Sequence, residues 1–112
     1  MKINMPFIGG LPDVWYSGDK DDLWVEYKFL VVPKRDDSPI HIDLSPLQQR
    51  WLGYRFLEGR NVAVIAGCKE GGVFMRGMEW EQTWSTGQFK ALIVPRAELA
   101  AQIIKLTMRN KA

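Results

Sequence analysis

The sequence predicts an α/β protein built on a small mixed sheet with helices against it. Three observations carry that expectation. Residues 23–32, "LWVEYKFLVV", are dense in β-branched and aromatic side chains and are stopped by Pro33. A helix signal at 45–59 separates this run from a second apolar run, "NVAVIA" at 61–66. A strand–helix–strand order of this kind allows the two strands to pair in parallel. Lastly, residues 96–109 space Leu99, Ile103 and Leu106 as one face of a closing helix.

The elements follow in order. Residues 1–12 hold Pro6, Gly9, Gly10 and Pro12 and read as an irregular lead-in. Residues 13–16 make a short strand, and the polar turn "SGDKDD" returns the chain antiparallel into 23–32. Alternation along that strand puts Trp24, Glu26, Lys28 and Leu30 on one face, and Val25, Tyr27, Phe29 and Val31 on the other. Residues 33–39 form an exposed, mobile loop, and 40–44 a brief extended segment. Ser45 suits a helix N-cap, Pro46 the first helical position, and Gln48 the far end of a capping box. Leu47, Trp51 and Tyr54 share a helical face, and Gly59 ends the helix. The run 61–66 reads as a buried central strand. "KEGG" turns the chain so that 73–76 pairs back, while "GMEWEQTWSTG" has no clear period.

Size and composition narrow the function. A chain of 112 residues, 46% hydrophobic and 25% charged, fits one domain spanning 1–112 with an ordinary core. A net charge of +2 gives little long-range steering toward nucleic acid, so such binding needs local basic patches. Candidates are Lys34 with Arg35, then Arg50, Arg55 and Arg60, then Arg109 with Lys111. Cys68 is alone and reads as a small packing residue, with no disulfide framework or Cys-based metal site. No stretch reads as a signal peptide or a membrane span, so a soluble, cytoplasmic protein is expected.

Glu26 and Lys28 raise the chemical question. They point the same way from the best strand in the sequence, where an unpaired charge is costly. They can neutralise each other, or Glu26 and Asp13, brought close by the hairpin, can share a cation. Two converging carboxylates repel unless a cation sits between them, and hard oxygen donors suit Mg²⁺ or Mn²⁺. An adjacent ammonium would orient an attacking water or stabilise charge at a phosphate, the equipment of phosphodiester hydrolysis. An acid-x-Lys triplet alone is a weak signal. Its position in the best strand, after a Pro-Asp pair and a hairpin-like turn, is much more specific.

Pro12-Asp13 followed by Glu26-Tyr27-Lys28 resembles the signature of the PD-(D/E)xK nuclease superfamily. The ordered set "GLPD", "VEYK", "LSPLQQRWL" and a following apolar strand resembles, more narrowly, the virus-type replication-repair nuclease family (VRR-NUC), over roughly residues 10–67. That resemblance implies a restriction-endonuclease-like core and divalent-metal phosphodiesterase activity on DNA. It also implies a homodimer, as in stand-alone phage members acting on branched DNA. Asp13 and Glu26 would be metal ligands with the backbone carbonyl of Tyr27, and Lys28 would act on the attacking water. Gln48 would support the site or the substrate phosphate. The family usually carries a further acidic residue on a helix before the Pro-Asp strand, and residues 1–12 contain no acid. The resemblance therefore implies a reduced metal site or a missing segment supplied by a partner chain.

The remaining candidates have simpler readings. The capping box accounts for Gln48 without any function. His41 faces solvent between Ile40 and Ile42, and Asp43 caps the following helix. Arg50 and Arg55 lie on a solvated helix face. Trp80 and Trp84 serve core packing or a dimer interface, and the apolar surplus over 73–94 is the expected interface. Glu79 and Glu81 are surface charges that could stand in for the missing acid. The expectation is a Mg²⁺- or Mn²⁺-dependent DNA endonuclease selective for structure, like a Holliday-junction resolvase. The alternatives are a site-specific homing or restriction-type endonuclease, and a non-catalytic DNA-binding subunit that keeps the fold.

Overall fold

The computed structural model describes residues 12–109, so all of the lead-in except Pro12, and Lys111, lie outside the described residues. Strands β1 (Val14–Ser17), β2 (Asp22–Phe29), β4 (Val62–Cys68) and β5 (Gly71–Met75) form a four-stranded sheet in the order β1-β2-β4-β5. β1 and β2 are antiparallel, β2 and β4 parallel, and β4 and β5 antiparallel. The parallel step requires a crossover, and α1 (Pro46–Leu57) supplies it. Before α1, β3 (Pro39–Ile40) pairs with β6 (Trp84–Ser85) as a separate two-stranded ribbon. Helices α2 (Thr86–Leu92) and α3 (Arg96–Thr107) close the chain.

β4 reads as an unbroken apolar run because both of its faces are covered. One core gathers Val62, Val64 and Ala66 with Leu52, Trp80 and Phe89, on the side of α1 and α2. The other gathers Ala63 and Ile65 with Leu23, Val25 and Leu99, on the side of α3. β2 obeys the expected alternation: Trp24 packs on the α1 side, Leu23 and Val25 on the α3 side. Two glycines allow close approach of backbone. A Cβ on Gly71, whose φ is +144°, would strike the Val94 carbonyl, and one on Gly18 would strike that of Thr107.

Several expectations need correction. β2 ends at Phe29, not at residue 32; Leu30 N–H still bonds the Gly67 carbonyl at 2.8 Å, and Leu30 and Val32 then turn into the α1-side core. The closing helix ends at Thr107 because Met108 is extended. The stretch 77–92 holds a single 3₁₀ turn (Glu79–Glu81), β6 and the seven-residue α2, each too short for a clear period. Most of its bulk is spent internally: Trp80 and Phe89 are fully buried and Trp84 packs on the same core, which leaves Leu92 as the large apolar side chain this stretch exposes. The loop after Pro33 is tied down. Ser38 carbonyl accepts from Thr86 N–H and Thr86 Oγ1, Asp36 carbonyl accepts from Gly87 N–H, and Lys90 pairs with Asp36 at 3.0 Å.

Candidate metal and nuclease site

The hairpin register decides which side chains meet. Val14 stands opposite Val25 and Trp15 opposite Trp24, so continuing one step places Asp13 opposite Glu26 on the α1 side. Trp15 and Trp24 stack at 5.8 Å, Trp24 meets Trp51 of α1 edge-on at 5.4 Å, and the Arg55 guanidinium covers Trp51 at 5.6 Å. This ladder fixes β1, β2 and α1 against one another two residues from both acids. Arg55 also pairs with Glu58 at 3.3 Å, so it is engaged rather than simply solvated.

Asp13 is exposed, and its Oδ2 accepts the Tyr27 N–H at 3.0 Å. The N–H and C=O of one strand residue point to the same side, so the Tyr27 carbonyl also faces the Asp13 edge. The Tyr27 side chain lies on the opposite face, its phenol hydrogen-bonded to that of Tyr16. Burial and that contact push the Tyr27 phenol pKa up. Any contribution of Tyr27 to the site is therefore through its main chain.

Glu26 is only 3% exposed. Its Oε2 accepts from Gln48 Nε2 at 3.1 Å and lies 3.7 Å from Lys28 Nζ. Its Oε1 is buried without a hydrogen-bond partner. Its pKa is raised from 4.5 to about 7, first by burial and then by the neighbouring Asp13 carboxylate, with Lys28 opposing both. The contact with Lys28 thus falls short of offsetting the burial of Glu26. An orphaned buried oxygen and a second carboxylate at its side suit a hard divalent cation. Such a cation would meet the Asp13 carboxylate, Glu26 Oε1 and the Tyr27 carbonyl.

Gln48 does two things at once. Its Oε1 accepts the Ser45 N–H at 2.9 Å while its own N–H bonds Ser45 Oγ at 3.1 Å, the complete capping box. The amide nitrogen left over is the group that reaches Glu26. The sequence marked each half of this arrangement, and only the structure joins them.

The other candidates lie outside the site. His41 is exposed and pairs with Thr83 Oγ1 at 3.1 Å from Nε2. Asp43 is exposed, and the cap of α1 is Ser45 rather than Asp43. Arg35 is bound by Asp37 at 2.9 and 3.1 Å, while Lys34 is exposed. Glu79 Oε1 accepts the Arg76 N–H at 2.9 Å and closes a turn. Among the described residues no group of three His, Cys, Asp or Glu side chains converges, so neither Glu79 nor Glu81 replaces the missing acid. Among those residues, too, no helix is long and apolar enough to cross a membrane.

No family model matches the sequence, and no curated protein matches it. Among solved structures the chain is similar to Hjc, a Holliday junction resolvase from the archaeal hyperthermophile Archaeoglobus fulgidus. The TM-score is 0.52 at 18% identity, covering 92% of this chain and 85% of that one. Identity at that level speaks for the fold. The shared fold is a restriction-endonuclease-like four-stranded mixed sheet with flanking helices.

Proposed function

We propose that this protein is a metal-dependent DNA endonuclease of the VRR-NUC type, selective for branched DNA, acting as a homodimer on four-way junctions. One observation carries the reading. A buried glutamate with an unpartnered oxygen stands beside a second carboxylate, a lysine and a positioned amide, inside a resolvase-like fold. Asp13, Glu26 and the Tyr27 carbonyl would hold Mg²⁺ or Mn²⁺. When bound, the ion supplies Lewis-acid polarisation of the scissile phosphate.

The chain's own residues do the rest. Gln48 holds Glu26 Oε2 and so leaves Oε1 free to ligate the ion. Lys28, its side chain 28% exposed, can reach both Glu26 and a water or phosphate oxygen from solvent. It orients the attacking water and offsets the negative charge that grows on the phosphorus oxygens. Paired nicks across a junction need two such sites related by a two-fold axis.

The test is nicking of a four-way junction, a linear duplex and a plasmid with Mg²⁺, Mn²⁺ or chelator. Paired, metal-dependent cuts in the junction are expected. Lys28→Ala should lower cutting by about 10²–10⁴-fold and leave gel-shift affinity in place. Full activity in that variant removes Lys28 from the mechanism. A donor set of two carboxylates among the described residues favours one second reading, a DNA-binding subunit without catalysis, which gives gel shifts and no nicks under any metal.

A further inference from the structure

Beyond Lys28, β2 does something unusual for a strand in this sheet. Phe29 is 72% exposed and Val31 is 85% exposed, with Tyr27 at 38% on the same side. α3 buries this face at Leu23 and Val25, and Tyr27 lines a cavity shared with Leu99 and Ile103, whereas Phe29 and Val31 lie beyond it. The register partner of Phe29 on β4 is Gly67, which offers no side chain to bury it. Leu30 and Val32, between and after these residues, pack inward, so Val31 is turned out. The segments adjoining the patch carry more cation than acid: Lys34 is exposed three residues past Val31, Lys69 and Glu70 are exposed on the β4–β5 turn just past Gly67, and Lys90 shares a cavity with Val32 and Pro33.

We infer that Phe29 and Val31 form an apolar wedge that contacts an unstacked base of the DNA substrate and sets the preference for branched over straight duplex. The inference rests on the nuclease reading for the identity of the substrate. Three features point to nucleic acid. The wedge begins one residue after Lys28, and a strand advances about 3.3 Å per residue, so it lies within a few nucleotides of the scissile phosphate. The lysines near it in the chain, Lys34 and Lys69, outnumber the one acid beside them, Glu70, and so suit a phosphate backbone. Phe29 and Lys28 project from opposite faces of one strand, so a DNA that touches both must turn around the end of the sheet. A duplex is stiff over roughly 50 nm and resists that turn, whereas a branch point makes it freely. A branch also offers unpaired base faces for an aromatic ring to stack on, which a continuous duplex hides.

A second copy of the chain fits less well. The three side chains together expose only about half of the roughly 800 Å² that each partner contributes to a stable interface. A two-fold contact here would also bring the lysines of both copies together.

The experiment uses a four-way junction and a linear duplex, each carrying 2-aminopurine near the cleavage position, with chelator present so that nothing is cut. Wild type is expected to change 2-aminopurine fluorescence in the junction only. Phe29→Ala should abolish that change and weaken junction binding about tenfold, leaving duplex affinity unaltered. Phe29→Trp should restore both. Equal losses on junction and duplex, or no loss, overturn the inference. So does a wild-type dimer that dissociates on Phe29→Ala in sedimentation, which assigns the patch to self-association. If the fluorescence behaves as expected while wild type cuts nothing with Mg²⁺ or Mn²⁺, the wedge stands and the nuclease reading fails.

Discussion

Helices α1 and α2 begin with the same device. Ser45 and Gln48 form a complete capping box, and so do Ser85 and Gln88, with corresponding hydrogen bonds of 2.9 and 3.0 Å, and 3.1 Å in both. In each, the glutamine oxygen caps the helix and the amide nitrogen is left over. At α2 that nitrogen belongs to an exposed side chain; at α1 it donates to the buried Glu26 at 3.1 Å. A motif that local folding explains completely can therefore still carry a second task at its unused end. What decides is the strand the helix is docked against. α1 packs beside the carboxylates of β2, and α2 beside the anchored loop at Asp36 and Ser38.

The largest expected contrast is in cleavage. Gln48→Ala should slow junction cutting by about 10–100-fold, the usual cost of losing a group that orients a metal ligand. Gln88→Ala should leave the rate unchanged. Equal losses would mean that both act only through helix stability.

Next comes the buried carboxylate itself. The folded-state pKa of Glu26 is raised to about 7 from 4.5. Its contribution to stability is therefore fully present below pH 4.5 and is lost as the pH climbs through 7. In chelator, Glu26→Gln should match wild type in acid and exceed it by about 2–3 kcal/mol above pH 7. Urea unfolding across that range measures it; a difference that does not vary with pH contradicts the burial argument. Mn²⁺ should reverse the order at pH 8 by stabilising wild type alone.

A smaller effect separates the two glutamines by charge. Glutamate serves a capping box as well as glutamine does. Gln88→Glu should be neutral or stabilising by about 0.5 kcal/mol, from a negative charge at a helix N-terminus. Gln48→Glu puts a further carboxylate against Glu26 and should destabilise by about 1–2 kcal/mol at pH 8 in chelator. Thermal melts of both variants decide. The smallest contrast is none: Ser45→Ala and Ser85→Ala should each cost about 1 kcal/mol, since the hydroxyl does the same work in both helices.

Much of this was legible before any coordinates. Pro33, the β-branched content of 23–32 and the Ser-Pro-x-Gln start of α1 are local signals, and local signals place β2 and α1. The single extra helix between two apolar strands made β2 and β4 parallel. What stayed hidden is what tertiary context supplies. The Ser85–Gln88 box follows the same pattern as the one at α1, but α2 has only seven residues and no period to announce it. Trp80 looks the same in sequence whether it fills a core or faces a partner, and here the core takes it. The loop at 33–38 is rich in charge, and its ties are mostly main-chain bonds, which composition does not reveal. The bond from Gln48 to Glu26 joins positions 22 apart in sequence through the docking of a helix on a sheet.

The most direct measurement is anomalous scattering from crystals of this protein grown in Mn²⁺. The account expects one peak about 2.0–2.2 Å from a carboxylate oxygen of Asp13, Oε1 of Glu26 and the main-chain oxygen of Tyr27. A saturated crystal with no peak there, and with Asp13 still held on the Tyr27 amide, would contradict it.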